Sequence, residues 1–222
     1  AKCAWCGKSG WLLLVNQQGL CKQCEQIIGL DVTQRFRIIR ESQELVEKSK
    51  NLDTKLSRLD LIIEHAMELF HYEEKGIHVI TPPPSEIIQT TNEKRKELII
   101  SHVANKVSDL IHNAQLKTTV NSQVNEATKA LLVIRDGRQK LGGTSDELDE
   151  LEKEVKLFIH KAKLQGYLEA ARKAEFKGQV KKALDQYQEA LYFLRNDDVD
   201  DAIQTEEIAQ IEGKIAALKA GG

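Results

Sequence analysis

The chain has 222 residues, and 32 Lys and Arg set against 34 Asp and Glu leave a formal net charge of −2. Charged residues make up 30% and aromatic residues 5%, a balance that suits long helices and argues against a nucleic-acid binder working through bulk positive charge. No apolar run approaches the roughly 18 residues of a membrane span, and no basic stretch with an apolar segment opens the sequence, so a cytoplasmic protein with no membrane partner is expected.

All 4 cysteines fall in two Cys-x-x-Cys pairs, Cys3/Cys6 and Cys21/Cys24. Thiolates three residues apart face one ion when a tight turn lies between them, and Cys6-Gly7 supplies such a turn. A second pair completes a closed tetrahedral shell, the arrangement of structural zinc, so Zn2+ held by Cys3, Cys6, Cys21 and Cys24 is expected. Disulfides suit this compartment less well, and a redox pair lacks the surrounding strand–helix–strand pattern. An iron–sulfur cluster remains open on ligand type alone. Between the pairs, Trp11-Leu12-Leu13-Leu14-Val15 reads as a short strand and Asn16-Gln17-Gln18-Gly19 as the turn of a β-hairpin.

Cys-x-x-Cys-Gly, a Trp, and Gly-Leu-Cys-x-x-Cys running into a helix at Glu25 together resemble a treble-clef zinc finger over residues 3–30. A zinc ribbon is the next nearest shape. Treble-clef fingers bind DNA, RNA or proteins, so the resemblance implies a fold and not a ligand. Between the ligands the basic residues are Lys8 and Lys22, few for a phosphate-contacting face. Arg35, Arg37 and Arg40 follow the ligands and complete a candidate nucleic-acid surface, the plain alternative being a solvated helix face with ion pairs.

After the finger, Ile38, Leu45, Leu52, Leu59 and Ala66 recur every seven residues, and Ser42, Ser49, Leu56, Ile63 and Phe70 fill the second seam position. This predicts a helix over about 31–75, coiled-coil-like or amphipathic, with its seam weakened at the two serines. Gly76 ends it, Ile77–Ile80 is extended, and Thr81-Pro82-Pro83-Pro84 is a stiff connector within residues 76–85. Ser85 is expected to cap a second long helix over about 86–140, with Val103, Val107, Leu110 and Ala114 on one seam and Val124, Ala127, Leu131 and Ile134 on another. Lys117-Thr118-Thr119 interrupts it weakly. The economical arrangement is a long antiparallel helical hairpin over 31–141.

Gly142-Gly143 marks a boundary, and Ser145 restarts a helix carrying Leu148, Leu151, Val155, Phe158 and Ala162, which Gly166 is expected to interrupt. Tyr167, Ala170, Ala171, Ala174, Gly178, Ala183, Tyr187 and Ala190 over 164–197 resemble one tetratricopeptide repeat, and less specifically the helices of microtubule-interacting-and-transport domains. Ala174 stands where the repeat usually has an aromatic, and no Pro follows Arg195. A lone repeat needs neighbours to bury its face, and Ile208, Ile211, Ile215 and Leu218 offer a matching stripe, so a helical bundle over 145–220 is expected. The acidic stretch Asn196–Asp201 lacks the Gly and Glu of a calcium loop.

The fold class is therefore mainly α: a zinc finger with a β-hairpin at 1–30, a coiled-coil-like hairpin, and a C-terminal bundle. None of the 6 histidines forms a metal or catalytic motif, and no phosphate-binding loop or nucleophile elbow is present. A non-enzymatic interaction or scaffold protein is expected, with protein partners at the finger and the helical repeat, and with two rods pairing as a homodimer. A nucleic-acid-binding accessory factor is the alternative.

Overall fold

The computed structural model describes residues 1–143, 145–197 and 204–221. Among these, the elements are α1 (Lys22–Lys48), α2 (Leu52–Glu73), α3 (Pro84–Gln115), α4 (Val120–Leu141), α5 (Asp146–Phe176), α6 (Val180–Arg195) and α7 (Thr205–Ala220). They pack as two compact units, Ala1–His102 and Val103–Gly222, the division falling inside α3.

The helix expected over 31–75 is broken. α1 stops at Lys48, and Ser49 and Asn51 are extended. The Ser49 hydroxyl accepts the Asn51 amide hydrogen at 3.1 Å, and the Asn51 side chain accepts that of Thr54 at 2.9 Å. Side chains of this kind offer the backbone a local alternative to the helical ladder, and here they outcompete a heptad pattern that runs on across the turn. α1 and α2 then fold back on each other. The Tyr72 hydroxyl donates to Asp31 at 2.8 Å, and Arg35 reaches Glu68 at 3.6 Å, an antiparallel register. The first half of α3 joins them through Lys94–Glu47 and Arg95–Asp60 ion pairs.

The buried face of α2 is Leu56, Leu59, Ile62, Ala66, Leu69 and Tyr72, a stripe at helical spacing broader than the expected seam. Leu52 and Ile63 are half-buried. On α1 the buried residues include Ile39, Ser42 and Val46, while Leu45 faces outward. The serine expected to weaken the seam is thus inside it.

α2 ends in a pair of bonds, Gly76 N to Glu73 O at 2.8 Å and Ile77 N to Tyr72 O at 3.0 Å, that satisfy its last carbonyls and bury Ile77. Pro84, expected in the stiff connector, is instead the first residue of α3, where its missing N–H costs nothing. Ser85 is therefore not the cap. Its amide and hydroxyl donate to the Glu73 carboxylate at 2.9 and 2.6 Å, which sets a negative charge at the positive end of the helix.

The helix expected over 86–140 is broken as well. Thr119 is extended, and its hydroxyl accepts the Ser122 amide hydrogen at 3.2 Å, capping α4. In the second unit the end of α3, α4, α5, α6 and α7 run in antiparallel succession. Val103 meets Gly137, Val120 meets Gly166, Arg138 bonds Asp149 and Glu152, Tyr187 donates to Glu175 at 2.7 Å, and Arg195 pairs with Glu212.

α5 is continuous through Gly166, against the expected interruption. A Cβ there would lie 2.9 Å from Val120 Cγ2, so this glycine permits close approach of α4 and is not a breaker. Ala171, Tyr187, Ala190, Leu194, Ile211 and Ile215 form the core of α5–α7, with Ile208 and Leu218 partly buried against it. In the stretch 198–203 the acidic sequence lies outside the described residues.

Candidate metal centre

Residues 1–10 close a tight loop around the first pair. Cys3 N donates to Lys8 O at 2.8 Å and Gly7 N to Cys3 O at 3.0 Å, with Gly7 at φ 73° as the expected turn requires. Lys2 and Ser9 bridge across it. The second turn is built by Asn16, whose side-chain oxygen accepts the amide hydrogens of Gln18 and Leu20, both at 3.0 Å, while Gly19 N donates to Asn16 O at 2.9 Å. Ala4 N donates to Gly19 O at 2.9 Å and so ties the two turns together. Cys21 then serves as the N-cap residue of α1, and Cys24 sits in its first turn.

The expected β-hairpin is absent: among the described residues there is no sheet, and Val15 and Cys21 make an isolated bridge. The run that reads as a strand, Trp11–Val15, is a loop. Trp11 is 91% and Leu14 87% exposed, so the alternation of a half-buried strand has nothing to pack against.

The four Sγ atoms lie within 4.8 Å of one another, with Cys6 and Cys21 at 4.0 Å. Around one ion at a metal–sulfur distance of about 2.3 Å, a tetrahedron has edges of about 3.8 Å. The separations fit that shell and are far too long for a sulfur–sulfur bond of about 2.05 Å. All four cysteines are free, and Cys3, Cys21 and Cys24 are buried. The Cys21 amide donates to Cys3 Sγ at 3.4 Å. That bond, with further backbone donors, brings the Cys3 thiol down to about 6, whereas burial, followed by the neighbouring thiols, pushes Cys24 up to about 12. Four thiolates this close repel one another unless a cation lies between them, and the N-terminus of α1 contributes a partial positive charge beside Cys21 and Cys24. The four cysteines are thus positioned to hold a structural metal ion such as zinc.

The sequence does not reveal what the two cysteine-bearing turns rest on. Trp5, between the first two ligands, packs on Tyr72 with ring centroids 4.7 Å apart, and Lys75 Nζ stands 4.4 Å from the Trp5 ring. Gln18 Nε2 donates to the His78 carbonyl at 2.8 Å. Asp31, Arg35, His65 and Glu68 continue this polar wall between α1 and α2. Trp5 and Tyr72 are too far apart in sequence for any periodicity to pair them.

The candidate nucleic-acid residues are dispersed. Lys8 and Lys22 are exposed beside the cysteines. Arg35 is turned inward, bonded to Asp31 at 2.9 Å and facing His65 at 3.2 Å. Arg37 pairs with Glu41 at 3.7 Å, and with Arg40 it borders a groove between α1 and the 79–81 segment that also holds Val32, Phe36 and Val79. No protein-family model, curated protein or solved structure matches the chain significantly.

Proposed function

We propose that this chain is a non-enzymatic interaction protein, in which one zinc ion held by Cys3, Cys6, Cys21 and Cys24 stiffens a loop that contacts a protein partner. The observation that carries this reading is the solvent-facing run Trp11, Leu12 and Leu14, raised between the two metal-binding turns. Large apolar side chains held in water on a rigid loop favour a contact surface, since soluble proteins rarely expose such groups together. With all four ligands from the protein, the ion's role is to hold the loop and not to bind substrate.

The C-terminal hairpin α5–α6, covered by α7, is a second contact module in this reading. Leu45, left outside on α1, supports pairing of two chains as a homodimer, which light scattering across a concentration range tests. Nucleic-acid binding is less supported, because Arg35 is committed to Asp31 and to the polar wall. A photo-crosslinking side chain at Leu12 is expected to capture a specific partner, and W11S/L12S/L14S is expected to lose it while keeping its metal. Undiminished partner binding by that variant would remove the loop from the account.

A further inference from the structure

The turn between α5 and α6 breaks two local rules at once. Phe176 is 94% exposed, and Val180, four residues on, also faces solvent. Around them stand Lys173, Lys177, Lys181 and Lys182, all exposed. None of these lysines forms an ion pair among the described residues. The carboxylate within this stretch, Glu175, is turned away and accepts the Tyr187 hydroxyl at 2.7 Å. Lys173 has an ordinary place, in the last turn of α5, where a cation complements the helix dipole. Lys181 and Lys182 do not. They lie in the first turn of α6, which has no acidic residue, and the residue ahead of it, Gln179, makes no side-chain cap. Two cations at the positive end of an uncapped helix oppose folding, and such conflicts are retained where an anion from outside resolves them.

We infer that this turn docks on an anionic lipid surface. Phe176 and Val180 enter the interface, and the four lysines and the free amides of α6 face the phosphate groups. Charge complementarity selects an anionic partner, and the apolar pair selects a lipid among anionic partners. Val180 has no π-face on which a base could stack, and the apolar pair sits on a helix–helix turn, whereas single-strand binders use a basic groove with successive aromatic platforms. Lysine stems lie along apolar surface with their heads in the phosphate layer, the usual disposition beside a shallowly inserted aromatic. The contact is peripheral, since no helix of the described residues is long and apolar enough to cross a membrane.

The test is co-sedimentation of the full chain with vesicles of phosphatidylcholine alone and of phosphatidylcholine mixed with phosphatidylserine. Binding is expected on the mixed vesicles only, weakening as salt is raised. K181A and K182A should each lower the partition coefficient about fivefold. F176S, at a position that packs on nothing, should lower it roughly tenfold without changing the helical circular dichroism signal. The inference is overturned by absence of binding to the mixed vesicles at low salt, or by binding that F176S leaves unchanged. It is equally overturned if an RNA single strand or a DNA duplex binds through these lysines while the vesicles do not.

Discussion

Gly137 offers the most demanding test of the helix packing. It is buried in α4, and a Cβ added there would come 2.4 Å from Val103 Cγ2. Replacing Gly by Ala inside a helix ordinarily stabilises by about 1 kcal/mol, because the unfolded chain loses freedom. At Gly137 the new methyl overlaps a β-branched side chain whose preferred rotamer in a helix is nearly fixed, so Val103 moves only by straining itself or by parting the helices. Overpacking of this kind costs about 1–3 kcal/mol. The net expectation for G137A is a loss of about 1 kcal/mol. Gly213, within α7, has nothing within 4 Å of its added Cβ, and G213A should gain about 1 kcal/mol from the same chemistry. The assay is urea unfolding followed by circular dichroism, comparing midpoints because two units need not unfold together. The double variant V103A/G137A should lose less than the sum of its parts. Equal stabilisation by G137A and G213A would show that α3 and α4 do not approach as closely as described.

Other consequences are as direct. Burial, then the Asp31 carboxylate, pushes Tyr72 up to about 12, above the roughly 10 of an unfolded chain. A raised folded value means its contribution is full below about pH 10 and lost as pH climbs toward 12, so Y72F should flatten that alkaline fall and remove one late step from a tyrosine absorbance titration. Leu59 is 2% exposed, and L59D should cost about 3–5 kcal/mol by leaving a charge in the core; a melting curve like that of the parent would contradict the α2 packing. Arg138 joins α4 to Asp149 at 2.6 Å and to Glu152. R138A should cost about 1–2 kcal/mol, discounted for partial exposure, and R138K should recover less than half, because an ammonium does not span both carboxylates.

The four-cysteine cluster was legible because its chemistry is written in spacing: paired cysteines, a glycine after the first pair, a helix after the second. The helical faces were legible for the same reason, and Val103, Val107, Ala127 and Ile134 are buried as their periodicity requires. What periodicity hid was where the helices stop. Asn51 looks like an ordinary polar residue in a helical pattern, and Lys117-Thr118-Thr119 reads only as a weak interruption where α3 in fact ends; the hydrogen bonds of Asn51 and Thr119 identify them as caps. Gly166 read as a breaker because glycine is a weak helix former, and its reason, Val120, is 46 positions away. Trp11–Val15 read as a strand because its composition is strand-like, yet burial, which gives a strand its stability, was not available on a loop this short.

The central claim is that four cysteines hold one ion and that the ion holds the loop. Metal analysis with native mass spectrometry, on reduced protein never exposed to chelator, tests it most directly. The account predicts one zinc per chain, absent from C24S, with a changed tryptophan fluorescence and a retained helical signal in that variant. Parent protein that carries no metal, and whose loop is as ordered as this structure describes, would contradict it.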